Sequence, residues 1–412
     1  MGTRLGVRSL KWLIILSIIV PLLTGCWDRQ EIEDRAIVLG VSIDEAGPGA
    51  EKEENEISHL HDKFPVPDKG MIRVAVQIAL PGKIPLGPGE SGAAGKSSAE
   101  TVWVIEVVGH TIDDALMNLQ QQLSSRLFFG HLRIIVVSEK IARKGLQNFN
   151  DYFRRNSEIR RTAWMVVSKG DAEPFLRAAP KLERVPTLYL LSTLDDSVKQ
   201  GKFPNDFLGT YWSNESKKGQ EAFLPYIELM TEQNVELKGL AYFKNSTMVN
   251  STEPFEIAAY MGIKGMNPAG YRVFISLDNQ PSKTVMIYAT HRESKFKVSI
   301  KDGLPHFVVK IFIETNLEEK LSESLLTNRS QILKEIEAQH QKSLLKTYSG
   351  LVKKTQKEGS DIFGFGEYVR ALEPGFWNEH VKTKENWQVM YKNIEVQFEV
   401  TSKVRRVGMK AR

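Results

Sequence analysis

Five short apolar segments in the first half of the chain predict β-strands. They lie at 36–43, 71–80, 101–108, 132–137 and 163–167. Helical patterns separate the last three strands: one follows Thr111, whose hydroxyl suits a helix cap, and another covers 139–154 and is divided by Gly145. Because strands alternate with helices here, we expect a mixed α/β layer.

The pattern after residue 235 is different. Strand patterns occur at 235–243, 271–277, 285–290, 296–300, 306–315 and 394–400. An amphipathic pattern over 322–357 predicts one long helix. We therefore expect a multi-domain α+β fold. An N-terminal mixed α/β domain, or more than one, would precede a C-terminal antiparallel sheet packed with a long helix.

The chain has 412 residues, more than most single domains contain. We expect a signal peptide at 1–25, an N-terminal α/β domain at 26–195 and a C-terminal domain at 235–408. The residues between the two domains, 196–234, contain prolines, glycines and polar runs, which predict a linker or a small subdomain. Within the N-terminal domain, 45–69 and 81–98 predict exposed loops.

The first 26 residues are typical of an exported lipoprotein. Basic residues precede the apolar run Trp12 to Leu23, whose 12 residues are too few to span a bilayer as a helix. The run ends in Leu23-Thr24-Gly25-Cys26, which looks like a bacterial lipobox. The Cys26 sulfur would take a diacylglyceryl group as a thioether, and two acyl chains give stable anchoring. A plain signal peptide or a short membrane anchor, with Cys26 incidental, is the alternative.

Composition narrows the possible functions. The net charge of +5 is too small to indicate nucleic acid binding. Removing residues 1–25 takes away three basic residues and leaves a net charge of about +2. Cys26 is the single cysteine, so an internal disulfide, a cysteine zinc cluster and a CxxC redox pair are excluded.

No motif in the sequence predicts catalysis, a metal site or a cofactor. The stretch 89–97 (GESGAAGKS) has the wrong glycine spacing for a phosphate-binding loop and follows no strand. His59 and His61 lie in a loop, where solvated histidines are commoner than zinc ligands. We therefore expect no enzyme activity.

Two further clusters leave two interpretations each. Arg154-Arg155 and Arg160-Arg161 could face anionic lipid or an acidic partner, or could be ordinary ion-paired surface residues. The segment from Asp361 to Gly366 alternates glycine with aromatic residues, which favours a tight structural turn over a partner contact.

Several segments resemble the C subunits of spore germination receptors, the GerAC, GerBC and GerKC type lipoproteins of endospore-forming bacteria. They are CWDRQEI at 26–32 with AIVLGVSID after it, SRLFFGHL at 125–132, PKLE at 180–183, VPTLY at 185–189, LKGLAYF at 237–243, SDIFGFG at 360–366 and RRVG at 405–408. The resemblance spans nearly the whole chain. Departures fall in the loops 45–69 and 81–98.

The resemblance implies a non-enzymatic lipoprotein with three α/β-type domains on the outer face of the spore inner membrane. It would assemble with a multi-spanning A subunit and a membrane B subunit into a nutrient receptor. A solute-binding lipoprotein that delivers a ligand to a membrane partner is the alternative function, and it predicts two similar lobes around a cleft. A lipoprotein hydrolase is the least favoured class.

Overall fold

The computed structural model describes residues 35–54, 70–80, 101–178, 183–231, 234–277, 283–321 and 330–406. These residues form two β-sheets, one after the other along the chain, with helices packed against both. The multi-domain α+β fold expected from the sequence is confirmed.

The first sheet has nine strands in the described residues. They are β1 (Arg35–Glu45), β2 (Ile72–Ala79), β3 (Val102–Gly109), β4 (Arg126–Phe128), β5 (Ile134–Ser138), β6 (Trp164–Ser168), β7 (Phe223–Leu229), β8 (Val235–Lys244) and β9 (Thr247–Ser251). Across the sheet the order is β3-β2-β1-β5-β6-β7-β8-β9, and β4 pairs with β1. The central strands β1, β5, β6 and β7 are parallel, and the outer pairs are antiparallel.

Helices connect the parallel strands as expected. They are α1 (Ile112–Gln120), α2 (Glu139–Lys144), α3 (Gln147–Arg155), α4 (Pro186–Lys199) and α5 (Leu208–Ser216), with 3₁₀ turns at Ala50–Lys52 and Glu173–Leu176. Thr111 caps α1, because its hydroxyl accepts a hydrogen bond from the Asp114 amide at 3.2 Å. Gly145 separates α2 from α3 with a φ of 115°, a conformation that favours glycine.

The parallel strands are buried on both faces. In β5, Ile135 and Val137 belong to one hydrophobic core, whereas Ile134 and Val136 belong to another on the opposite face. This double burial explains why the sequence of β5 is apolar at successive positions rather than alternating.

The second sheet consists of four strands in the described residues. They are β10 (Arg272–Ser276), β11 (Thr284–Lys301), β12 (Leu304–Lys320) and β13 (Glu395–Arg406), in that order across the sheet. The first two pairings are antiparallel, as predicted, but β13 runs parallel to β12. A parallel neighbour needs a long crossover connection, and the helices between residues 330 and 391 provide it.

The helices of the second half are α6 (Pro254–Ile263), α7 (Ser330–Glu358), α8 (Phe365–Leu372), α9 (Pro374–Phe376) and α10 (Lys384–Tyr391), with a π-helical turn at Trp377–Val381. The long helix predicted over 322–357 is confirmed as α7, although 322–329 lie outside the described residues. Its Tyr348, Leu351 and Val352 share a core with the apolar face of β12, so α7 covers one face of the second sheet.

The first sheet continues beyond residue 235, where we expected the C-terminal domain to begin. β8 pairs with β7 and β9 pairs with β8, so both strands are hydrogen-bonded into the first sheet. The segment 196–234, for which we expected a linker or a small subdomain, contains α5 and β7. Pro225 obscured β7 in the sequence. The strand tolerates it because β6 pairs only with Tyr226 and Ile227.

Strands β7 and β8 form a wall that two hydrophobic cores share. In β8, Ala241 and Phe243 point into the core of the first sheet. The alternate residues Leu240 and Tyr242 point into the core that contains α7 and β12. The two halves of the molecule are therefore packed directly against each other through this shared wall.

Candidate functional site

The predicted lipid anchor, Leu23-Thr24-Gly25-Cys26, lies outside the described residues, so its acylation stays a prediction. The described chain begins at Arg35, nine residues after Cys26. Nine extended residues span at most about 30 Å. An acylated Cys26 would therefore hold the amino-terminal end of β1 within about 30 Å of the membrane surface.

The arginine cluster of the sequence divides into two pairs. Arg154 forms a salt bridge with Glu215 of α5, and the Arg155 Nε atom lies 2.7 Å from an Asp151 carboxylate oxygen. Arg160 and Arg161 are exposed and have no ion pair in the described part of the chain. The ion-pair interpretation is therefore confirmed for the first pair only.

A cleft of about 1210 Å³ opens beyond the carboxyl end of β1 and is lined by residues of both halves of the molecule. Glu45 ends β1 at the cleft, Lys144 comes from the end of α2, and Lys384 comes from the start of α10. Clefts at the carboxyl ends of parallel strands are common ligand sites, and this volume would admit a small solute.

The principal charged groups of this cleft already have partners within the protein. Lys144 pairs with Glu45, and Arg154 pairs with Glu215. The Lys384 Nζ atom donates to the Glu215 carbonyl oxygen at 2.9 Å. A charged solute would have to compete with these contacts to bind here.

The segment Ser360 to Gly366 forms a buried turn around one carboxylate. Asp361 is 1% exposed, and its oxygens accept hydrogen bonds from the Gly364 and Gly366 amides at 2.9 Å. The Trp387 indole Nε1 donates to the same carboxylate at 3.0 Å. Gly364 has a φ of 76°, which explains a glycine at this position. The prediction of a structural turn is confirmed.

This turn joins the second half of the molecule to the first. We call the contact between residues 219–221 and 360–367 the interdomain junction. The Glu221 amide donates to the Asp361 carbonyl at 2.8 Å, and the Gly219 amide donates to a Glu367 carboxylate oxygen at 2.8 Å. A Cβ atom on Gly219 would lie 2.3 Å from the Gly366 carbonyl carbon, so the two backbones approach as closely as glycine allows.

Glu221 is the second buried carboxylate of this junction, beside Asp361. Its carboxylate lies 3.0 Å from the Lys384 Nζ atom and accepts hydrogen bonds from the Gln388 side chain at 2.6 Å and the Asn245 amide at 3.0 Å. Burial nevertheless raises the pKa of Glu221 to about 7, because removal from water penalises the ionised form more than these contacts favour it.

Arg292 is a structural residue that the sequence did not reveal, because its neighbours His291 and Glu293 made the segment look like surface. Its guanidinium is buried and donates hydrogen bonds to the carbonyl oxygens of Met266 at 2.9 Å and Pro268 at 3.1 Å. Burial lowers the pKa of Arg292 to about 10. The side chain thus fastens the loop after α6 to β11.

The remaining sequence candidates receive no structural support as sites. Among the described residues, no group of three or more His, Cys, Asp or Glu side chains could hold a metal ion. His59, His61 and the stretch 89–97 lie outside the described ranges. Within those ranges, no helix combines the length and apolar composition that a bilayer crossing requires.

Comparison with known proteins covers almost the entire chain. Residues 28–229 match the spore germination protein N-terminal domain, and residues 238–408 match the spore germination B3/GerAC like, C-terminal domain. Spore germination protein KC of Bacillus subtilis (strain 168) is 27% identical, over 97% of this chain and 95% of that protein. Spore germination protein B3 of the same organism is 21% identical, over 94% and 95%. The crystal structure of the GerBC protein has the same fold, with a TM-score of 0.55 at 15% identity, over 81% of this chain and 94% of that one.

Proposed function

This chain belongs to the GerAC family of spore germination proteins, and on that basis we propose that it is the lipid-anchored C subunit of a nutrient germinant receptor. The observation that carries the proposal is the match to both family domains in order, over residues 28–229 and 238–408. The proposed place of action is the outer face of the spore inner membrane, and the proposed role is non-enzymatic.

The anchor in this proposal is a diacylglyceryl group on Cys26. The lipobox residues Leu23, Thr24 and Gly25 support it, because the small side chains before the cysteine let an extended chain enter the processing peptidase. With two acyl chains the mature chain would stay stably at the membrane, whereas one chain gives only marginal binding.

Replacement of the anchoring thiol tests this part of the proposal. Spores that carry Cys26→Ala should incorporate no labelled palmitate into this protein, lose it from the inner membrane fraction and germinate more slowly with nutrients. Thr24→Ala is the matched control, because it keeps a small residue before the cysteine and should behave like wild type. Normal membrane retention and normal germination of Cys26→Ala spores would refute the anchor.

The proposed partners are the membrane A and B subunits of the receptor. Photo-crosslinking residues at exposed positions in intact spores would test this assembly, with one set beside the cleft at Lys144 and a second on α7 at Lys342. We expect at least one set to give adducts whose mass identifies an A or B subunit. Adducts with neither subunit from any exposed face would contradict the assembly.

A solute-binding lipoprotein is the second candidate, and the cleft of about 1210 Å³ favours it. The two halves of the molecule argue against it, because a nine-stranded mixed sheet and a four-stranded sheet are not two similar lobes. Thermal unfolding of the purified chain with a panel of nutrients separates the candidates. Saturable stabilisation by a nutrient would support the solute-binding function, and none is expected for a subunit that binds only proteins.

A further inference from the structure

The arginines of the described residues fall into two groups according to their partners. Eight form ion pairs with carboxylates, and Arg292 donates to backbone carbonyls. The other guanidinium groups with a described side chain have neither kind of partner. They belong to Arg35, Arg126, Arg133, Arg160, Arg161 and Arg184.

These six arginines lie together, at the end of the first sheet where the parallel strands begin. The Arg35 guanidinium carbon also lies 4.7 Å from the centroid of the Phe128 ring. Arg35 opens β1, and its register partner on the neighbouring strand is Arg126, which opens β4. Arg133 precedes β5, and its amide donates to the Leu39 carbonyl of β1 at 2.9 Å. We call this group of six residues the basic edge.

Backbone and side-chain hydrogen bonds also place the remaining members of the basic edge at this end of the sheet. The first residue of β6, Trp164, donates to the Arg133 carbonyl at 2.9 Å, so Arg160 and Arg161 come just before that strand at the same end of the sheet. The Arg184 carbonyl accepts a hydrogen bond from the Thr101 hydroxyl at 3.2 Å, immediately before β3. Because β3 is antiparallel to β2, and β2 to β1, the start of β3 lies at that end as well.

Among the described residues near this edge, two carboxylates accept hydrogen bonds from backbone amides rather than from guanidinium groups. Glu158 accepts a hydrogen bond from the Phe129 amide at 2.9 Å, and Glu183 accepts one from the Arg184 amide at 2.9 Å. Arg126 and Arg35 meanwhile occupy adjacent strands about 5 Å apart, where like charges repel. The described residues therefore place six guanidinium groups at this edge against these two carboxylates, an excess of positive charge that an external anion would stabilise.

We propose that the basic edge lies against the anionic phospholipid headgroups of the membrane that holds the chain. Guanidinium groups bind phosphate oxygens through paired hydrogen bonds, and arginines near an anionic surface add affinity one by one. The location supports this partner, since Arg35 is nine residues from Cys26 and the tether can extend only about 30 Å. This inference rests on the proposed membrane anchor. In this orientation the cleft, which lies at the opposite end of β1, faces away from the bilayer.

Chemical footprinting of the arginines tests the orientation. The full-length chain is reconstituted in vesicles of phosphatidylcholine alone or mixed equally with phosphatidylglycerol, modified with phenylglyoxal and analysed by mass spectrometry. In the anionic vesicles we expect modification of Arg126, Arg160 and Arg161 to slow by about five-fold each, the factor that corresponds to about 1 kcal/mol per arginine. Arg370, exposed and paired with Glu367, should not change. High salt should remove the protection.

A charge-matched pair of variants separates the edge from general electrostatics. Replacing Arg126, Arg133, Arg160 and Arg161 together by Gln should abolish the protection that anionic lipid gives to the remaining Arg184. The control replaces four exposed lysines of α7 by Gln and should preserve it. These lysines are Lys342, Lys346, Lys353 and Lys357.

Two results would overturn the proposal. Equal modification in both kinds of vesicle, at rates typical of exposed arginine, would show that the edge meets no lipid. Equal protection in both, unaffected by salt, would show that the guanidinium groups are covered without anionic lipid. In both preparations the chain is the unprocessed sequence, whose apolar run Trp12 to Leu23 associates with the vesicle without an acyl group on Cys26. A negative footprint would therefore not count against the anchor, which the palmitate experiment tests separately.

Discussion

Replacing Asp361 by Ala should weaken the fold more than most single substitutions, because one carboxylate satisfies three buried donors. The Gly364 and Gly366 amides and the Trp387 indole would all lose their acceptor. Each orphaned donor costs about 1–3 kcal/mol, so the direct loss is about 6 kcal/mol.

Removal of the buried charge offsets part of this loss. Burial raises the pKa of Asp361 from 3.8 to about 6, which corresponds to about 3 kcal/mol of unfavourable ionisation at neutral pH. The net expectation for Asp361→Ala is therefore a loss of about 3 kcal/mol in the free energy of unfolding. The substitution should destabilise both halves of the molecule, because the turn belongs to the interdomain junction.

Urea unfolding followed by tryptophan fluorescence measures this loss, and Trp387 is one of the seven tryptophans that contribute to the signal. The matched control is Asp196→Ala, which removes an exposed carboxylate 3.1 Å from Lys199 and should cost under about 1 kcal/mol. If Asp361→Ala unfolds within about 1 kcal/mol of wild type, the carboxylate does not hold the turn, and the reasoning is refuted.

Three further substitutions test the junction and the loop after α6. Gly219→Ala should lower the free energy of unfolding in urea by about 3 kcal/mol, because the backbone of Gly366 must move. The control Gly350→Ala, in open space on α7, should raise it by about 0.5–1 kcal/mol. Equal effects of the two substitutions would contradict the close contact between Gly219 and Gly366. The pKa of Glu221 rises from 4.5 to about 7 on folding, so the folded chain binds more protons between these values. Ionisation of Glu221 should therefore lower the free energy of unfolding by up to about 3 kcal/mol as pH rises through that range. Asp361, whose pKa burial raises to about 6, titrates over part of the same range in both proteins, so the test is the difference between the wild-type and Glu221→Gln profiles; parallel pH profiles would disprove the Glu221 contribution. Arg292→Met should lower the unfolding free energy by about 3 kcal/mol, since buried carbonyls lose their donor; an unchanged urea midpoint would show that the loop is held otherwise.

Elements with a local signal were predictable from the sequence. β5 is apolar at its first four positions because it is buried on both faces, and the Thr111 cap and the break at Gly145 are encoded within a few residues. α6 was not predicted, because its sequence carries no such local signal. It is buried almost all round, with residues from Ile257 to Ile263 in the core, so it has no amphipathic period.

The candidate sites also differ in whether a local sequence segment or a long-range contact defines them. The prediction for Cys26 could be made from the sequence alone, because a lipobox is a short linear segment, and it stays a prediction. The interdomain junction was not, because residues 219–221 and 360–367 are about 140 positions apart and nothing local specifies their pairing. In the basic edge, the adjacent Arg160 and Arg161 were visible. Arg126 joins them only through the parallel strand order, which the sequence does not state.

The wall formed by β7 and β8 has a mechanical consequence. Leu240 and Ala241 are neighbours in the chain, yet they belong to the cores of different halves. A hinge motion between the halves would have to separate one hydrophobic core from β8, the strand that also contributes residues to the other core. A force applied to the second sheet would therefore move the described part of the chain as one rigid body, rather than open and close it like a clamshell.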